Sequence, residues 1–129
     1  SSSSLWVGRY VGEDTVTTRA DETLGFIVLE SGSGIIEGLH YRAAHATSVP
    51  GYMNTGNPTS LLVKDSLEPG MTATALLSTS GLVGADGAWP AFVGSVDVVT
   101  TERIVMTVDE DAIKDSERQH IPEPVAYLL

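Results

Sequence analysis

The sequence predicts an all-β protein, an antiparallel β-sandwich of about seven or eight strands. Three observations carry that expectation. No helical stripe of apolar residues appears anywhere in the chain; apolar positions alternate, or run in short bursts between Gly, Pro, Asn, Asp and Ser. Thr, Val and Ile are plentiful, and β-branched side chains suit a pleated, half-buried surface. The bursts also recur at the spacing of a sandwich or barrel.

Taken in order, the expected strands are Leu5–Val11, Thr23–Leu29, Ile35–Ala43, Ser60–Ser66, Met71–Ser80, Ala91–Thr100, Arg103–Asp109 and Glu123–Leu129. Leu5–Val11 is the first apolar run after a Ser-rich start. In Thr23–Leu29, Leu24, Phe26 and Val28 share one face while Ile27 and Leu29 make the other apolar too, so a central strand covered on both sides is expected. Ser31-Gly32-Ser33-Gly34 then has the composition of a hairpin turn leading into Ile35–Ala43. In Met71–Ser80, Ala73, Ala75 and Leu77 fall opposite Thr72 and Thr74; in Arg103–Asp109, Ile104, Met106 and Val108 share a face with period two. Two stretches rich in Gly, Pro, Asn and Asp, His45–Thr59 and Gly81–Pro90, are expected to be the long loops. The last strand carries Val125, Ala126, Tyr127, Leu128 and Leu129 without a break. It is therefore expected either to lie centrally in its own sheet or to pair with another copy in a head-to-tail assembly.

Composition narrows the function. The 129 residues suit one domain, divided here into an N-terminal strand and linker, 1–20, and a sandwich module, 21–129. Seven Lys+Arg against 17 Asp+Glu give a net charge of −10. Nucleic-acid binding rests on neutralising phosphates, so nucleic acid is a poor partner, and an anionic membrane surface is disfavoured for the same reason. No apolar run approaches the roughly 20 residues of a membrane span. With no Cys there are no disulfides, thiolate metal sites or cysteine nucleophiles. The Ser-rich start and strongly apolar end give the expectation of a module from a longer polymer. Gly-x-Ser-x-Gly, Gly-x-Gly-x-x-Gly and Gly-x-x-x-x-Gly-Lys are all missing, and no pair of carboxylates is singled out by its setting, so the chain is not expected to be an enzyme.

One internal echo stands out. Glu22-Thr23-Leu24-Gly25-Phe26-Ile27-Val28 aligns with Glu123-Pro124-Val125-Ala126-Tyr127-Leu128-Leu129: acid, any residue, branched aliphatic, small, aromatic, aliphatic, aliphatic. A long polar side chain, Arg19 or His120, precedes each acid by three residues. The pattern points to a repeating unit in which one element closes a module and joins the next. The stretch Ser116–Leu128, a His followed by a Glu and then a Val-Ala-Tyr strand, resembles a pattern of large secreted bacterial surface proteins. Ala75-Leu76-Leu77-Ser78-Thr79 with Gly81, the Asp86-Gly87 turn, Ala91–Thr100 and Ile104–Glu110 are similar to the core of the same modules. Over most of Asp21–Leu129 the chain thus resembles an H-type lectin-like β-sandwich module. The resemblance implies an extracellular or cell-surface protein used for glycan binding, adhesion or assembly, and it assigns no sugar-binding residue.

The residues themselves offer three candidate groups. Sugars stack their C–H faces on aromatic rings and exchange hydrogen bonds with polar side chains. Trp89 with Asp86, and Tyr52 with Asn54 and Asn57, have that composition, and Trp89 and Asp86 are expected on one exposed loop. Asp109, Asp111 and Asp115, in an acidic stretch with Glu110 and Glu117, could give oxygen ligands to Ca²⁺, the only cofactor considered, though the stretch lacks EF-hand spacing. Arg19–Glu22 and His120–Glu123 are expected to be equivalent structural pairs, each orienting the strand that follows; an Arg in one of the two places argues against a general base. The function expected is an extracellular structural or adhesive module with glycan binding as its specific form. The partners are a glycan or other copies of the chain, in a homo-oligomer or a larger multidomain protein. A self-assembling filament or surface-layer subunit without sugar binding, and an accessory module of a secreted hydrolase, are the alternatives.

Overall fold

The computed structural model describes residues 4, 8, 10–52, 59–62, 73–93, 103–114, 116 and 118–129. The elements among them are seven β-strands: β1 (Gly32–Ile36), β2 (Leu39–Val49), β3 (Thr59–Leu62), β4 (Leu76–Thr79), β5 (Ala88–Phe92), β6 (Arg103–Glu110) and β7 (Glu123–Leu128). They form two antiparallel sheets, one of four strands in the order β1-β2-β7-β4 and one of three in the order β3-β6-β5.

One core joins the two sheets. Val49, Val125, Tyr127 and Leu129 meet Ala88, Ile104, Met106 and Val108, with Ala44, Ala46, Ala73, Ala75 and Leu77 packed around them. The alternation in β6 sends Ile104, Met106, Val108 and Glu110 inward, and that of β7 sends Glu123, Val125 and Tyr127 inward. Pro124, Ala126 and Leu128 fall on the outer face and are only half-buried. The unbroken apolar run of β7 follows from its position: β2 pairs with it on one side and β4 on the other. Arg42 and Leu129 exchange two further backbone bonds of 2.9 Å. Of the two expected outcomes for this strand, the central position within its own sheet is the one observed.

Several expected elements are corrected. Ile35–Ala43 is not one strand. It is broken by a two-residue turn at Glu37 and Gly38, with φ of 51° and 82°, the left-handed pair that a tight hairpin requires. The turn therefore lies there, and Ser31-Gly32-Ser33-Gly34 leads into and opens β1 instead. The loop expected from His45 starts later, because β2 runs to Val49, with a register shift between Ala46 and Val49 that brings Val49 opposite Glu123. The loop expected to Pro90 ends earlier, because β5 begins at Ala88; Pro90 is tolerated there since β5 is an edge strand. Residues 23–29, expected as a central strand, form no strand, and the central place is held by β7. Parts of the expected strands Leu5–Val11, Ser60–Ser66, Met71–Ser80 and Ala91–Thr100 lie outside the described residues. No helix among the described residues is long and apolar enough to cross a membrane.

Candidate functional site

Two constellations stand out, one buried and one open. The buried one begins with His120, just ahead of β7. Its Nδ1 lies 3.0 Å from Glu110 Oε2 at the end of β6, and its Nε2 lies 3.0 Å from Glu123 Oε1 at the start of β7. All three side chains are at most 2% exposed. Glu123 also accepts the N–H of Val83 at 2.7 Å and of Gly84 at 2.6 Å. Burial alone pushes the Glu123 carboxyl up; the Gly84 N–H, the His120 ring and the Val83 N–H outweigh it and hold the group below its ordinary value of 4.5. The fit requires glycines. A Cβ on Gly84 would stand 2.5 Å from His120 Cε1, and one on Gly51 would stand 2.3 Å from the His120 carbonyl oxygen. A general base must reach a substrate proton. This imidazole is closed in, so the geometry describes a clamp that ties β6, β7 and the 83–84 loop together.

The open constellation surrounds Trp89 in β5. Tyr10 lies beside it, with ring centroids 6.4 Å apart and planes at 52°. Each ring is 42% exposed. A groove of about 390 Å³ runs between them, lined also by Thr79, Gly81, Leu82 and Ala88. Asp111 positions the Tyr10 segment: its Oδ2 accepts the Glu13 N–H at 2.8 Å and its Oδ1 accepts the Ile113 N–H at 3.1 Å. Gly12, at φ 61°, lets the chain turn against Asp111 and the Trp89 ring; a Cβ there would stand 1.8 Å from Asp111 Oδ2 and 2.8 Å from Trp89 Cη2. Trp89 stands directly across the sheet from Asp109, so their side chains share a face. Arg118 grips Asp109 with Nε at 2.8 Å from Oδ1 and a second contact from its Nη2, and its guanidinium lies 5.1 Å over the Tyr52 ring. The Asp109 contact raises Arg118 above its already high ordinary value. On the same face a carboxylate–guanidinium pair and a third aromatic ring, Tyr52, thus follow the Tyr10–Trp89 platform.

The expected site residues are distributed as follows. Trp89 and Asp86 do not share an exposed loop. Trp89 is in a strand because Ala88 pairs with Glu110 and extends β5, while Asp86 sits half-buried in the preceding bend. Tyr52 is exposed, with Arg118 over its ring. Asn54, Asn57 and Asp115 lie outside the described residues. Asp109 and Asp111 take separate partners, Arg118 and two backbone N–H groups. Among the described residues no group of three or more His, Asp or Glu is placed to hold a metal ion. His120 and Glu123 are in contact, whereas the Arg19 guanidinium is bound to Asp14 Oδ2 at 2.5 Å. Sequence reasoning missed Tyr10 as a site residue and Glu110 as the second partner of His120. The signal for Glu110 was its place in phase with Ile104, Met106 and Val108, which turns it inward. No family model, no curated protein and no solved structure matches this chain.

Proposed function

We propose that the chain is an extracellular or cell-surface structural and adhesive module, a β-sandwich similar to H-type lectin modules, that binds a glycan in the Tyr10–Trp89 groove. The groove is the observation that carries this reading. Two half-exposed rings inclined to each other present apolar faces for the C–H faces of a sugar, and the neighbouring Asp109–Arg118 pair offers an acceptor and donors for its hydroxyls. A small concave site with few polar groups suits a short saccharide better than a protein surface. The two sheets with one shared core support the sandwich, and the closed-in position of the His120–Glu110–Glu123 cluster fits a structural role for those three residues.

The test is a titration of the protein with a panel of neutral and acidic oligosaccharides, followed by tryptophan fluorescence and calorimetry. At least one saccharide is expected to bind, and Trp89→Ala is expected to weaken it by roughly tenfold or more, about 1.4 kcal/mol, without changing the unfolding midpoint. A panel that shifts neither signal overturns the glycan reading.

A further inference from the structure

We infer that Glu22–Leu29 is a closing strand for another copy of this module, seated between that copy's β2 and β4 as β7 is seated in this one. The inference rests on the structural-module reading and not on glycan binding.

The sequence echo becomes specific once β7 is placed. Glu22 and Glu123 lie 101 residues apart, and the same offset carries Leu24 onto Val125, Gly25 onto Ala126, Phe26 onto Tyr127 and Ile27 onto Leu128. Each position has a physical task in the β7 seat. Residue 125 fills the core between the sheets and is fully buried; Val125 does this here and Leu24 would do it there. Residue 127 is the large inward ring, opposite Ala44 on β2 and Leu77 on β4. Residue 126 lies opposite His45 and Ser78, where both segments carry a small side chain. The acid at 123 takes the Val83 and Gly84 N–H groups at the strand's start.

In its present position the apolar part of the segment uses none of this design. Residues 23–29 form no strand, and Phe26, Ile27 and Val28 are 68%, 66% and 67% exposed. Three large apolar side chains in succession, with Asp21 and Glu22 before them and Glu30 after, are costly to leave in water and mark an interaction surface. The segment lies along the outer face of the four-stranded sheet, across a groove of about 570 Å³ lined by Ala43, Leu76, Ala126 and Leu128. The seat that its pattern matches is filled by β7 in this copy, so the seat it serves belongs to another. The connection also fits. Only Glu30 and Ser31 separate Leu29 from β1, so a strand closing one copy runs directly into the first strand of the next. The pattern repeats by a single translation along the chain, which builds a linear array of modules.

The experiment is a full chain carrying an internal duplication of residues 21–121, so that the second Asp21–Leu29 follows the first Ile121. The first module then has no other closing strand. If the inference holds, both modules fold, and amide exchange in the junction Leu24–Val28 is slower than in the unduplicated chain by roughly a thousandfold or more. Phe26→Ala at the junction then speeds exchange throughout the first module, whereas Phe26→Ala in the original N-terminal segment leaves it unchanged. A first module that stays unfolded, or junction amides that exchange as they do in the single chain, overturns the inference. Saccharide binding by the unduplicated chain reports separately on the groove, so failure of one reading is distinguishable from failure of the other.

Discussion

Residues 22–28 and 123–129 carry one pattern and have opposite fates. The second copy is the middle of a sheet, with Tyr127 7% exposed; the first lies across the outer face of that sheet, with Phe26 68% exposed. The residues differ little in hydrophobicity or β propensity, so neither property decides the outcome. The decisive difference is the seat. Residues 123–129 follow His120, which is bound to Glu110, and enter a slot whose two walls, β2 and β4, belong to the same copy. A strand is thus specified as much by the strands beside it as by its own alternation.

The largest expected contrast is at the matched aromatics. Tyr127→Ala should cost about 3–5 kcal/mol, the range for emptying a buried aromatic site. Phe26→Ala in the single chain should fall within about 0.5 kcal/mol of the parent. Urea unfolding of the two variants measures both, and equal losses would erase the distinction drawn between the two regions.

The acid at the head of β7 should be nearly as sensitive. Glu123→Ala leaves His120 and two N–H groups without their carboxylate, and breaking a buried pair in this way costs about 3–5 kcal/mol. Its pH dependence has a definite sign. The folded group is held below its ordinary value of 4.5, so the unfolded chain takes up the proton first as pH falls. The stabilisation is complete above about pH 4.5 and is lost as pH falls through the lower folded value. Unfolding midpoints measured from pH 7 down to pH 3 should show that loss in the parent and a smaller slope in Glu123→Gln.

A smaller effect is expected where the backbone meets the clamp. Gly84→Ala places a Cβ against the His120 ring, and such overpacking typically costs about 1–3 kcal/mol. The smallest belongs to the region of the first copy. Arg19→Ala removes an ion pair to Asp14, a carboxylate held low chiefly by the Val16 N–H and only then by Arg19, so the unfolding midpoint should not move. A drop comparable to that of Gly84→Ala would mean that Arg19 does more than hold its own turn.

Period-two alternation made much of the fold legible. Ile104, Met106 and Val108 were readable as one inward face because β6 is flanked by a sheet on one side only. The same rule read Leu24, Phe26 and Val28 as a strand, since alternation reports a capacity to pair and carries no information on where a partner lies. The Glu37–Gly38 turn was hidden because Glu is an uncommon residue at positive φ, and the Ser-Gly run nearby had the more familiar turn composition. In the groove, Trp89 was legible as a candidate, yet Tyr10 comes from a distant segment brought in by Asp111 and Gly12, a contact spanning 98 residues for which local pattern has no signature. His120 and Glu123 were close enough in sequence to be paired on paper, whereas Glu110 needed the register of β6.

The place of β7 has a further consequence for how the molecule is made. Of the seven strands among the described residues it is the last in order, yet it pairs with β2 and β4 and so lies inside its sheet. During synthesis β2 and β4 must wait, with the hydrogen-bonding edges that face the slot unsatisfied, until the final strand arrives. Pairing of this kind joins residues far apart in sequence, which slows folding relative to helical domains. The four-stranded sheet therefore closes only once β7 has been made, and the core side chains Val125 and Tyr127 are among the last of its buried residues to be supplied.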